Sequence, residues 1–221
     1  ITKDFSDSIL ILSNETETIG IDVNNGEILD NEKLVANINP LPNYEFYDNG
    51  SQTEFRQIDN RYLIAVLPPS NYKVIFSNNN LAVFSDIRDR TYLFIKSTNT
   101  VTQMNISAKQ ITANRNDPYL ATSDGNEINL YNIETGEVQL ITRQSEPIIT
   151  IEWYNDQRTL LYANENKVFA IEQGNYSSRD ATTLIDNATI IDMWPDTTGK
   201  RLTFYGTVDN TTGIWNLILT Q

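Results

Sequence analysis

The chain has 221 residues with 29 acidic against 16 basic side chains, a net charge of −13, which disfavours nucleic acid and anionic membrane surfaces, because both reward clustered Lys and Arg. It holds neither cysteine nor histidine, which removes disulfides, thiolate nucleophiles, Cys-based zinc sites and the commonest catalytic base. A hydrophobic share of 39%, with 11 Tyr, 8 Phe and 3 Trp, suits a globular, strand-rich domain with a sizeable core.

In chain order, residues 1–8 (ITKDFSDS) read as a shortened first strand of a unit, and Ile1 as the start of a processed or excised segment. Residues 8–15 (SILILSNE) and 18–29 (TIGIDVNNGEIL) follow as a strand pair around a polar turn. Residues 34–39 (LVANIN) predict the next inner strand, then 44–50 (YEFYDNG) and 53–64 (TEFRQIDNRYLI) repeat the pair. The run Leu63 to Leu67 is the longest apolar stretch and is far too short to span a bilayer. Residues 72–76 (YKVIF), 81–87 (LAVFSDI) and 92–106 (YLFIKSTNTVTQMNI) give a third copy, the last of these holding a fourth, outer strand.

The second half of the chain repeats the order more clearly. Residues 110–114 (QITAN), 119–125 (YLATSDG), 127–136 (EINLYNIETG) and 137–142 (EVQLIT) form one unit. Residues 148–153 (IITIEW), 160–166 (LLYANEN) and 167–178 (KVFAIEQGNYSS) begin another, and 189–194 (TIIDMW), 202–210 (LTFYGTVDN) and 213–221 (GIWNLILTQ) begin a last one. Each strand pair closes on Asn, Asp or Gly, the chemistry of a hairpin turn. The third strands align on Gly20, Phe55, Phe94, Tyr131, Phe169 and Trp215, which recur every 35, 39, 37, 38 and 46 residues.

A period near forty with four strands per copy predicts sheets that hide their faces by stacking on one another. The expected fold class is all-β, a β-propeller of four-stranded antiparallel blades, six in number, with a fragment of a larger propeller as the alternative. The expected domain is 1–221, with blades at 1–33, 34–69, 70–107, 108–145, 146–186 and 187–221. The sixth unit stops at its third strand. Its missing outer strand is expected either from Ile1 to Phe5 or from chain beyond this sequence.

Residues 151–174 (IEWYNDQRTLLYANENKVFAIEQG) resemble a TolB-type propeller repeat, as do residues 192–219, and residues 123–138 (SDGNEINLYNIETGEV) resemble the latter half of a WD repeat. The chain departs from true WD repeats: without His it has no Gly-His pair, and Tyr131-Asn132 and Trp215-Asn216 stand where Trp-Asp would. The WD network of Asp, His, Ser or Thr, and Trp therefore cannot form. The TolB-like cadence implies an extracytoplasmic setting, periplasmic or at a bacterial surface.

Trp153 and Trp194, each ending an inner strand, are expected to wedge between blades rather than to serve as ligand platforms. The loops joining second and third strands open on one end of a propeller and carry nine acids: Glu15, Glu17, Asp48, Asp86, Asp89, Asp124, Glu127, Glu165 and Asp209. Turn geometry alone favours Asp and Asn there. The functional expectation is that this loop face binds, with Asp86, Arg88, Asp124, Glu127, Glu165 and Asp209 as the candidate residues and a basic protein surface as the suited partner. No spaced calcium loop, Ser–His–Asp set or phosphate-cradling Gly loop occurs, so the expected protein is a non-enzymatic, monomeric binding or display module without catalytic residues, metal or cofactor. A rigid spacer in a longer surface protein and a glycosidase-like hydrolase using a carboxylate pair are the alternatives.

Overall fold

The structure is a computed structural model describing residues 2–6, 9–13, 18–22, 28–29, 41, 43–173, 181–196 and 198–219, with side chains from 41 onward. The described residues are strands and turns, without a helix. Strand assignment follows the hairpin chemistry closely. Asp or Asn ends or directly follows most second strands. Left-handed backbone at Asp89, Asn99, Gly125, Gly136, Asp209 and Asn210 lets the chain reverse.

The chain divides into two compact units, residues 1–69 with 77–80 and residues 70–76 with 81–221. The first unit contains two sheets. The first sheet runs β1 (Thr2–Ser6), β2 (Ile9–Ser13), β3 (Thr18–Asp22), β4 (Ile28–Leu29), and the second β5 (Tyr44–Asp48), β6 (Thr53–Gln57), β7 (Leu63–Leu67). Strand β1 pairs with β2 from Thr2 opposite Ser13 to Ser6 opposite Ile9. The expectation that Ile1 to Phe5 closes the last sheet is therefore corrected. Only two residues separate β1 from β2, so their pairing costs far less chain entropy than reaching a distant edge. The predicted strand at 34–39 lies outside the described residues. In the second sheet, buried Phe55 stacks on Tyr44 at 5.7 Å and meets Phe46 at 4.9 Å. On that sheet Arg56 lies 3.9 Å over the Tyr47 ring and donates to Glu45 at 2.8 Å.

The second unit contains four sheets. The third sheet is β8 (Tyr72–Ser77), β9 (Leu81–Asp86), β10 (Thr91–Ile95), β11 (Thr100–Gln103); the fourth is β12 (Gln110–Ala113), β13 (Tyr119–Ser123), β14 (Glu127–Asn132), β15 (Val138–Arg143). The fifth is β16 (Thr150–Trp153), β17 (Thr159–Ala163), β18 (Val168–Glu172), β19 (Thr182–Ile185). The sixth has three described strands, β20 (Thr189–Pro195), β21 (Arg201–Val208) and β22 (Thr211–Ile218). All pairings are antiparallel.

Stacking buries both faces of the middle sheets, as the repeat requires. Leu81, Val83, Leu93 and Met104 meet Leu120 and Tyr131 between the third and fourth sheets. Ile128, Leu130 and Ile141 meet Ile151, Leu160 and Tyr162 between the fourth and fifth. Leu161, Ala163 and Val168 meet Ile190, Met193, Leu202 and Phe204 between the fifth and sixth. Of the aligned third-strand positions, Phe55, Phe94 and Tyr131 are buried, while Phe169 and Trp215 are half-buried. Trp153 and Trp194 are both in the core, and the Trp153 indole donates across to the Thr112 carbonyl of the preceding sheet at 3.3 Å.

The innermost strands β12, β16 and β20 lie side by side. A polar seam joins them. Gln110 donates to the Ile148 carbonyl at 3.2 Å, Thr112 to the Glu152 carboxylate at 3.3 Å, and Thr150 to the Asp192 carboxylate at 3.1 Å. These bonds satisfy groups that the stacking half-buries.

Candidate functional site

The candidate residues all fall in the second unit, at the turns between second and third strands. In the third sheet, Asp86 ends β9 with its side chain wholly enclosed. One carboxylate oxygen accepts the backbone N–H of Arg88 at 2.8 Å and of Arg90 at 3.0 Å. The other accepts the Arg90 guanidinium at 2.6 Å from Nε and 2.5 Å from Nη2. Burial alone would push this carboxyl up, but the Arg90 side chain and the two amides outweigh it and hold it below the usual carboxylate value. The turn so braced lifts Ile87 (75% exposed) and Arg88 into solvent.

The same device recurs in the next two sheets. Asp124 accepts the N–H of Asn126 at 2.8 Å and of Glu127 at 2.9 Å. Its carboxyl too is held down against the upward push of burial, by those amides and by the charge of Lys109. Asn164 accepts the N–H of Asn166 at 3.0 Å and of Lys167 at 2.8 Å, and its amide donates to Glu146. An amide thus serves in the fifth sheet where carboxylates serve in the third and fourth. What the three positions have in common is an acceptor that caps the turn. Glu127 faces Arg143 across the β14–β15 pair and accepts its Nε at 2.7 Å. The Glu165 side chain is exposed, and Asp209 sits exposed in the two-residue turn between β21 and β22.

Connectors between sheets lace these tips together. Ser107 donates to the Asp89 carbonyl at 2.8 Å, and Lys109 N–H then bonds Ser123 of the fourth sheet at 2.7 Å. Gln144 and Ile148 donate their N–H groups to Asn126 and Gly125 at 2.8 and 2.6 Å, and Ile149 N–H then reaches Ala163 of the fifth sheet at 2.8 Å. Ala188 and Ile190 do the same to Asn166 and Glu165 at 3.3 and 2.7 Å. Arg88, Asp124, Glu127 and Glu165 are thereby held at one end of the unit, and Asp209 occupies the corresponding end of the sixth sheet. Asp86 belongs to this end as the brace of its turn, with its carboxylate turned inward. Glu15 and Glu17 lie outside the described residues, and Asp48 lies in the other unit.

Lys109, Glu146, Lys167 and Asp186 also stand at this end, and sequence reasoning did not single them out. Lys167 meets Asp186 at 3.3 Å. Their signal was present: they sit in the turns and connectors that flank each hairpin. Among the described residues no three acidic side chains gather as a metal site. A cavity of about 350 Å³ lies at the opposite end of the fourth sheet, lined by Tyr119, Leu130, Asn132, Glu137, Val138 and Gln139.

Comparison with solved structures points to a fold. The chain is similar to Hsv2p of Kluyveromyces lactis, with a TM-score of 0.55 at 13% identity over 93% of this chain and 71% of that one. It is equally similar to a chain in a structure of the mitotic checkpoint complex, with a TM-score of 0.56 at 10% identity over 98% of this chain and 86% of that one. The fold is that of a WD-like β-propeller. No family model matches the sequence, and no curated protein does. At such low identity the likeness of this WD-like chain to its neighbours concerns architecture alone.

Proposed function

We propose that this chain is a non-catalytic protein-interaction module whose contact surface is the laced end of the second unit. The six sheets are read as six propeller blades, a count supported by the forty-residue period and by propeller neighbours that span nearly the whole chain. The observation that carries the reading is the lacing itself. Backbone bonds from each connector to the preceding tip hold exposed Ile87, Arg88, Glu165 and Asp209 on a rigid frame. Preorganised side chains lose little entropy when a partner docks. Asp124 and Glu127 contribute charge at the centre of this end, and Asp86 contributes by holding the turn that presents Ile87 and Arg88. The partner is a protein surface with basic groups at its rim, since acids outnumber bases in these loops. The extracytoplasmic setting rests on the TolB-like cadence of residues 151–174.

The test compares capture by the wild-type chain with capture by Glu165→Lys and Asp209→Lys together. These two side chains bond nothing that shapes a turn, so folding is preserved. Partners bound by the wild type and lost from the double variant support the reading. Identical binding by both chains overturns it.

A further inference from the structure

Three sheets of the second unit cover their third strand with a fourth: β11 on β10, β15 on β14 and β19 on β18. The sixth sheet does not. Among the described residues β22 ends that sheet with no strand beyond it. The register shows which of its groups are left over. The turn at Asp209 and Asn210 is left-handed at both residues, as a type I′ hairpin requires, so Val208 and Thr211 form the first hydrogen-bonded pair. Alternation along the ladder then turns Gly213, Trp215 and Leu217 toward β21, and the Leu219 N–H bond to Lys200 at 2.8 Å continues that parity. Thr212, Ile214, Asn216 and Ile218 turn their N–H and C=O groups outward. Close side-chain approach in the intervening pairs agrees: Thr207 meets Thr212 at 2.8 Å and Thr203 meets Asn216 at 2.7 Å.

This edge has none of the usual protection. Strand β22 is eight residues long, unbulged against β21, and carries no charge and no proline. Ile214 and Ile218 are 48% and 70% exposed. A second observation lies in the packing. Met104, just after β11, and Ile141, on β15, are 3% and 7% exposed where the outer strands of complete sheets cover them. Leu184 and Ile185 on β19 belong to the cluster between the fifth and sixth sheets and remain half-buried, as do Trp215 and Leu217. The apolar layer extends one strand further than the sheet above it.

We propose that the outer edge of β22 receives an extended segment of a partner protein as an antiparallel fourth strand. The fitting segment is four to six residues long, like β11, β15 and β19, and uncharged. Its β-branched or apolar residues alternate so that one face covers Leu184, Ile185, Trp215 and Leu217. Strand β1 is not that segment, because β2 already holds it. A second copy of the chain fits poorly. Its own fifth sheet would need the layer that β19 fills beneath the empty position.

A labelled peptide, Val-Gln-Leu-Ile-Thr between Gly-Ser flanks, copies the core of β15 and serves as the probe. Fluorescence anisotropy with the full chain is expected to show saturable binding. Asn216→Pro, which removes one outward N–H and no bond to β21, is expected to weaken it roughly tenfold or more, the loss of about one strand-pairing hydrogen bond plus the ring's obstruction. Hydrogen exchange on the wild type reads the same edge without a variant. Peptide should slow the amides of Thr212, Ile214, Asn216 and Ile218 and leave Gly213, Trp215 and Leu217 unchanged. Absence of binding, binding indifferent to Asn216→Pro in a folded variant, or protection elsewhere overturns the proposal. So does a dimer of the peptide-free chain in sedimentation that Asn216→Pro dissolves, which would give the edge to a second copy.

Discussion

Asparagine and alanine at position 86 separate the charge of this side chain from its service as an acceptor. Asp86→Asn keeps one oxygen for the Arg88 and Arg90 amides but sets an NH₂ group where the second oxygen accepts the guanidinium. Hydrogen bonds to charged groups contribute about 1.5–3 kcal/mol, so the expected loss is about 2 kcal/mol. Asp86→Ala removes every one of these bonds and strands two turn amides. The expected loss rises to about 3–4 kcal/mol. All three tryptophans, Trp153, Trp194 and Trp215, lie in the unit that carries Asp86, so their fluorescence in urea reports the unfolding that matters. With a slope of about 2 kcal/mol per molar, the midpoint should fall by about 1 M for Asn and nearly 2 M for Ala. Acid supplies an independent check. The folded carboxyl lies below the ordinary value of 3.8, so its stabilisation is complete above that value and is lost as pH falls through the folded one. The gap between wild type and Asp86→Asn should therefore hold steady above about pH 5 and shrink below about pH 4. Variants within about 0.5 kcal/mol of wild type, or a gap that persists unchanged in acid, would refute the account of Asp86 as a brace.

Other expectations are simpler. A Cβ at Gly206 would lie 2.0 Å from the Thr189 carbonyl oxygen; Gly206→Ala forces β20 away from β21 and should cost about 3 kcal/mol, read by thermal unfolding. Asn164→Asp keeps the acceptor for the Asn166 and Lys167 amides but sets a carboxylate against Glu146; it should destabilise at neutral pH and recover as pH falls toward about 5, where one of the pair takes a proton. Leu161→Ala empties a buried position between the fifth and sixth sheets and should cost about 2–5 kcal/mol, lowering the melting temperature by several degrees.

How much of this could be read from residues alone varies by element. The hairpins around Asp86 and Asp124 were legible because apolar alternation and an Asp-containing turn agree, and both local signals survive folding unchanged. Trp153 and Trp194 were rightly placed inside because they recur at one point of the repeat. Strands β7 and β19 were harder. The first was an apolar run and no more, and the second, Thr-rich and four residues long, carries little alternation. The role of Asp86 was misjudged for a subtler reason. Composition shows that acids gather in the tips, but only geometry shows that its carboxylate faces its own Arg90 and its own backbone. Asn164 at the matching point of the fifth sheet held the clue, since an amide replaces a carboxylate where shape matters and charge does not. The placement of β1 was equally local. A two-residue connection favoured its immediate neighbour over the far edge.

The bonds from Gln144 and Ile148 to Asn126 and Gly125 constrain how such a chain can diversify. Lengthening that hairpin would displace the very carbonyls on which the following module is hung, so an added residue would be felt throughout the next repeat. Altering side chains at the apices, Ile87, Arg88, Glu165 or Asp209, disturbs nothing but the surface. New recognition in this scaffold is reached by changing letters and not by inserting them.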